Sequence, residues 1–128
     1  PGFTKTVGTF SNTTVISNFS SDVHIEINFE LQYQTFVGVG ASFTDSSASL
    51  FHSLSAGVQQ KFVESFFGPL GLEYTLVRVP IACSDFSLRP YSYDDVPGDV
   101  ELRYFNLTEE DHKLKIPLIK LALKASTR

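Results

Sequence analysis

The chain has 128 residues, 42% of them apolar, with 12 Phe and 5 Tyr, enough for one packed unit and too aromatic for a disordered chain. Its net charge of −4 excludes the basic footprint of a nucleic-acid binder, and no basic run is dense enough for an anionic membrane surface. No apolar run is long enough to span a bilayer and no stretch reads as a signal peptide.

Residues 1–22 are rich in Ser, Thr and Asn and read as loops with short strand pieces. Val23, Ile25, Ile27, Phe29, Leu31 and Tyr33 then alternate with polar residues. A period of two over 23–34 predicts a strand with one wet face, of the kind found in antiparallel sheets. The pattern changes at Phe36. The run Val37-Gly38-Val39-Gly40-Ala41-Ser42-Phe43 is short, apolar and small, as expected of a buried strand whose glycines let a neighbouring backbone or a ligand come close. Thr44 or Asp45 is placed to cap a short helix over 46–54.

Ser55 reads as a second N-cap. Val58, Phe62, Val63, Phe66 and Phe67 follow at helical spacing, and Gly68-Pro69 ends the helix. This Phe-rich face is expected to need the rest of its protein to cover it. Tyr74 to Val79 reads as a second buried strand, closed by Pro80. Residues 81–106 form a long loop dense in Tyr, Phe and Arg, and loops of that length in compact domains are usually functional. Thr108-Glu109-Glu110-Asp111 has the pattern of a capping box. The helix after it is interrupted at Pro117, which can open a second helix at its first turn. From residue 36 the order strand, helix, strand, loop, helix is that of a parallel α/β protein.

In α/β barrels the active site lies at the C-terminal ends of the strands, here Phe43-Thr44-Asp45 and Val79 to Asp85. Arg78 sits within the second strand, where a buried guanidinium must find a carboxylate. It either orients a catalytic carboxylate or makes a structural ion pair. Asp85, beside Phe86 at a strand end, suits sugar binding: the carboxylate accepts hydroxyls while the ring covers an apolar face. Taken alone it reads first as the cap of a turn and second as a sugar-binding carboxylate. Asp45 reads first as a helix cap and second as a pocket residue. Cys83 reads as a small buried side chain, His24, His52 and His112 lack metal-ligand spacing, and Gly38-Val39-Gly40 is too short for a dinucleotide fingerprint. No metal or cofactor is expected.

Cys83 is the only cysteine, so no internal disulfide is possible. Together with ends at Pro1 and Arg128 that lack a start or a tail, this reads as a piece of a longer protein. Asn12-Thr13-Thr14, Asn18-Phe19-Ser20 and Asn106-Leu107-Thr108 are glycosylation sequons, which favour the secretory route.

Gly38 to Asp45, then Arg78-Val79-Pro80, Asp85 to Tyr93 and Asn106 to Ile119 together resemble the glucosylceramidases, acid β-glucosidases of glycoside hydrolase family 30. The resemblance covers roughly residues 23–128. It implies a (β/α)8 barrel with an attached antiparallel, β-sandwich-like domain. Residues 1–35 would belong to that β-domain, and 36–128 would be the first two β/α units of the barrel. It implies a retaining hydrolase that uses two glutamates, neither of which has a counterpart here. Asp85 would bind glucose hydroxyls, Phe86 would line the pocket, Arg78 would sit near the catalytic carboxylates, and Asn106, Asn18 and Asn12 would be glycosylated. The implied substrate is glucosylceramide at a lipid membrane surface, with a saposin-type activator as partner, in the lysosome lumen or outside the cell. Two departures stand out: Gly40-Ala41 replaces the family's paired glycines, and Cys83-Ser84 reverses its Ser-Cys. The competing readings are an inactive paralogue that binds glycolipid or a protein partner, and a family 30 enzyme acting on another β-glycoside, such as a xylanase.

Overall fold

The structure, a computed structural model, describes residues 28–127. The elements are β1 (Gly40–Ser42), α1 (Asp45–Ser53), α2 (Ala56–Phe67), β2 (Leu76–Arg78) and α3 (Ile116–Ala125). The last is entered through a π-helical turn over Asp111–Lys115. The expected order therefore holds from residue 36 onward, with both strands shorter than the apolar runs that announce them. The expected strand over 23–34 fares differently. Residues 23–27, and the greater part of the expected β-domain, lie outside the described residues. Residues 28–34 form a turn and then chain without regular structure, with the Glu30 amide donating to Asn28 Oδ1 at 3.0 Å. A strand with one apolar face holds only against a partner, and among the described residues the only pairing is β1 with β2.

That pairing is parallel, with Gly40 opposite Leu76, Ala41 opposite Val77 and Ser42 opposite Arg78. Gly40 is required by the closeness of the two backbones. A Cβ there would stand 1.6 Å from the Leu76 carbonyl oxygen, so any side chain would drive the strands apart.

Each helix start has a local cause. Thr44, in extended conformation, caps α1: its hydroxyl accepts the Ser47 amide at 3.1 Å, while the Thr44 amide donates to Ser47 Oγ at 2.9 Å. This reciprocal box assigns the cap to Thr44 and releases Asp45, which the sequence offered first as a cap, for another role. Ser55 precedes α2 but caps it with its carbonyl, which accepts from Val58 and Gln59, and not with its hydroxyl. Pro117 stands in the first turn of α3, as expected, and the interruption before it takes the form of a π-helical turn. A proline lacks the amide that would bond to residue 113, and its ring crowds that carbonyl. The π-helical turn just before it, with the Ile116 amide bonded to the Asp111 carbonyl, absorbs the conflict and lets the helix continue.

One face of the sheet is covered. Phe43, Ala48, Phe51, Val63, Phe67, Leu118 and Ala122 form a buried cluster joining β1 to all three helices. The Phe-rich face of α2 is therefore not left open as expected: Phe62 stacks against Phe51 at 5.4 Å and Phe67 against Phe43 at 5.6 Å. The helices α1 and α3 supply the cover that the sequence seemed to lack. The other face, carrying Leu76 and Arg78, remains exposed.

Candidate functional site

The two strand ends expected to carry chemistry do come together. Asp45, the first residue of α1, is buried, with 3% of its surface exposed. Its Oδ1 accepts from Ser87 Oγ at 2.8 Å, and Ser87 Oγ in turn accepts the Ser84 amide at 2.8 Å. The Ser87 amide donates to the Ser84 carbonyl at 3.0 Å, closing a tight turn with Asp85 and Phe86 at its tip. Ser46 Oγ donates to the Phe86 carbonyl. The first turn of α1 thus grips the turn from two points. Asp85 and the Phe86 ring, 82% exposed, are left free to project from the strand ends. The chain bends sharply before them: Ala82 adopts φ of 61°, a left-handed conformation that costs a non-glycine residue on the order of 1 kcal/mol or more.

Arg78 does not meet the expectation of a buried ion pair within the described residues. It ends β2 on the uncovered face, where its Nη1 reaches Ser42 Oγ at 3.5 Å, and no carboxylate of the described residues pairs with it. Among the described residues the strand is covered on one side only, which leaves Arg78 exposed. The glutamates from residue 36 onward are elsewhere: Glu64 on α2, Glu73 just before β2, Glu101 in the long loop, paired with Arg103, and Glu109 and Glu110 before the π-helical turn. Asn106 is exposed, and its amide donates to the Tyr93 carbonyl at 2.8 Å. Asn12 and Asn18 lie outside the described residues. Among the described residues no group of His, Cys, Asp and Glu is arranged to hold a metal ion. Cys83 is half-buried.

The return limb of the long loop is fastened to the start of the last helix. Arg89 makes a two-point pair with Glu110, at 2.7 and 2.9 Å, and its guanidinium lies 4.9 Å from the centre of the Tyr91 ring. The Arg89 hydrogen bonds pull the Glu110 pKa down to about 2 against the opposing effect of burial. Deeper in, Lys115 is 1% exposed and pairs with Asp111 at 2.7 Å. Its ammonium also donates to Tyr93 Oη at 3.1 Å and to the Pro80 carbonyl at 3.4 Å. Tyr93 donates its hydroxyl proton to Asp111 Oδ1 at 2.5 Å, and Asp111 Oδ2 accepts from the Thr108 hydroxyl at 3.0 Å. Burial pushes the Asp111 pKa up, but the bonds from Lys115, Tyr93 and Thr108 outweigh it and hold the carboxyl below its usual value. For Lys115 burial acts downward, and the bonds to Asp111 and Tyr93 outweigh it, so its pKa stands above the usual lysine value. Tyr91 is buried, and its hydroxyl makes no hydrogen bond of normal geometry. Burial raises its pKa, with the Lys115 charge opposing.

Sequence reasoning did not find Lys115 or Asp111. At a spacing of four they look like an ordinary pair on a solvated helix face. One signal was available: Lys115 falls on the stripe that continues through Leu118 and Ala122, the buried side of α3.

Residues 36–128 match the glycosyl hydrolase family 30 TIM-barrel domain. The chain is 50% identical over 107 residues to putative glucosylceramidase 3 of Caenorhabditis elegans, covering 84% of this chain and 20% of that protein. It is 46% identical over 99 residues to the lysosomal acid glucosylceramidase of Mus musculus, covering 77% of this chain and 19% of that protein. Among solved structures it superposes on an endo-β1,6-glucanase with a TM-score of 0.71 at 30% identity, covering 77% of this chain and 21% of the other. The chain thus spans about a fifth of the length of the curated relatives it matches.

Proposed function

The chain belongs to glycosyl hydrolase family 30, and from that premise we propose that it forms part of the sugar-binding wall of a glucosylceramide-hydrolysing enzyme. The observation that carries this reading is the turn at Ser84–Ser87. It is pinned to the first turn of α1, so Asp85 and Phe86 project together from the C-terminal strand ends. In a TIM barrel that is where substrate is met. A carboxylate there accepts charge-assisted bonds from sugar hydroxyls, and the adjacent ring lies against the apolar face of the sugar. The choice of glucosylceramide rests on the identity to glucosylceramidases from worm and mouse over most of the chain.

In this reading hydrolysis proceeds with retention. One glutamate protonates the leaving oxygen and another forms the glycosyl-enzyme, and both belong to parts of the enzyme other than these residues. Arg78, on the face turned toward the barrel interior, orients one of them. The enzyme works in the lysosome, a reading supported by the likeness to the lysosomal mouse relative. In this reading it also meets its substrate at a lipid surface and works with an activator protein. Asn106 is exposed and open to glycosylation.

A second reading, an endo-β1,6-glucanase, is favoured by one observation: the superposition on such an enzyme at 30% identity. The test is a competition assay on the full-length protein with glucosylceramide in detergent micelles and a linear β-1,6-glucan. Release of ceramide, lost in Asp85→Asn, is the expected result. Cleavage of the glucan alone would give the activity to the second reading. Cleavage of neither would point to an inactive, glycolipid-binding relative.

A further inference from the structure

The buried cluster at Lys115 is not explained by stability. Desolvating an ammonium and a carboxylate costs several kcal/mol per ion, and well-packed apolar side chains often do as well or better. What a buried pair does provide is a fixed geometry, and the partners chosen here are informative. Lys115 has three protons to donate, and each finds a different part of the chain: Asp111 on its own helix, the Pro80 carbonyl just after β2, and the Tyr93 hydroxyl on the return limb of the long loop. Pro80 and Tyr93 are the two ends of the segment whose tip holds Asp85 and Phe86. Asp111 completes the ring by accepting from both Tyr93 and Lys115.

The setting adds a second constraint. Lys115 is the last residue of the π-helical turn that Pro117 imposes, so its direction differs from that of a regular helix. A single ammonium thereby reaches both limbs of the loop from beneath, while Ser46 and Asp45 hold the turn from the side.

We infer that Lys115, with Asp111 and Tyr93, is a positioning device that closes the base of the 80–93 loop and so fixes the Asp85-Phe86 turn for sugar binding. The sugar-binding half of this inference rests on the function proposed above; the loop-closing half does not. Lys115 touches no substrate and acts through Asp85.

The test is a double-mutant cycle in the full-length protein, combined with amide hydrogen exchange. Lys115→Met alone would strand a buried carboxylate, so the clamp is broken by Lys115→Met with Asp111→Asn. The milder Tyr93→Phe serves should that variant fail to fold. Breaking the clamp is expected to speed exchange in peptides covering 82–93 while leaving α2 protected. It is also expected to lower kcat/KM at least tenfold (threefold for Tyr93→Phe) when Asp85 is present, and less than twofold in an Asp85→Asn background. Equal losses in both backgrounds would mean that the cluster supports the fold in general, and the sugar-positioning role would be overturned. Unchanged exchange in 82–93 would overturn the loop closure itself. If Asp85→Asn alone kept wild-type kcat/KM, the sugar-site reading would fail, and exchange would still decide the clamp.

Discussion

Glu110 and Arg89 are joined by two parallel hydrogen bonds, and the carboxyl is held at a pKa of about 2, well below the ordinary value near 4.3. A carboxyl lowered on folding contributes stability that is present above its unfolded pKa and is lost as pH falls through its folded one. The pair is therefore intact at about pH 5 and fails between about pH 4 and pH 2. Because Arg89 is half exposed, the contribution is small. The difference in melting temperature between the full-length protein and Arg89→Met should be constant from neutral pH to about 5 and vanish toward pH 2. At Asp85 a different outcome is expected. Asp85→Asn keeps the turn, because Ser84 and Ser87 close it through their own backbone and hydroxyl. Melting temperature should not move, while kcat/KM on glucosylceramide should fall by about 2–4 kcal/mol in activation free energy. Arg78→Ala should lower both, since an arginine enclosed by a complete barrel must be paired, and removing it strands its carboxylate at a cost of about 3–5 kcal/mol. Thermal melts run beside the kinetics separate the two cases.

The elements are held by a few specific contacts. β1 and β2 each have three residues, so their pairing depends on close approach at Gly40 more than on length. Gly40→Ala would place a methyl group 1.6 Å from the Leu76 oxygen, and the strands can yield only by parting. The full-length protein should lose more than about 3 kcal/mol, at the severe end for a single substitution, in urea unfolding. A near-neutral result would mean that the strands do not pair as described. Thr44→Ala removes one half of a reciprocal cap and should cost about 1 kcal/mol in the same experiment. These two features differed in legibility. The cap was readable to within one residue, because Thr44 and Asp45 are both good caps and only the Ser47 hydroxyl decides between them. The need for glycine was readable as a class of reason, close approach, but not as a partner.

At the scale of the whole molecule, one face of the sheet is packed and the other is not. Val39 is 53% exposed and Leu76 46%, and Leu123 on α3 is 70% exposed. A single βαβ pair with a third helix buries a core of seven residues and leaves apolar surface beside an open strand edge. Expressed alone, these 128 residues should therefore bind a hydrophobic dye, melt without a sharp cooperative transition, and show no turnover of a fluorogenic β-glucoside above a buffer control. A monomer with a sharp calorimetric peak would contradict the first part, and turnover would contradict the second.

The sequence by itself determined the order of the elements from residue 36, the parallel α/β character and the nature of the strand ends. Those follow from periodicity, from Gly and Pro punctuation and from motifs that are local in the chain. It also marked Asp85 and Phe86, because a carboxylate and a ring after a strand end are visible without knowing what surrounds them. It left open what tertiary packing alone decides. Arg78 stands on the face of β2 that the described residues leave uncovered, so its surroundings depend on what packs there, which apolar neighbours along the strand do not reveal. Pro117 was read as opening a helix at its first turn and does so in α3, but the π-helical turn that leads into it left no mark in the sequence. Asp45 was read first as a cap and serves to anchor the turn at Ser87, 42 positions away. Lys115 and Asp111 went unmarked as a pair, because spacing along a helix does not reveal which side of it the loop from Pro80 to Tyr93 will cover. Contacts across such distances in sequence leave no periodic trace, and only the folded chain brings them within reach of one ammonium group.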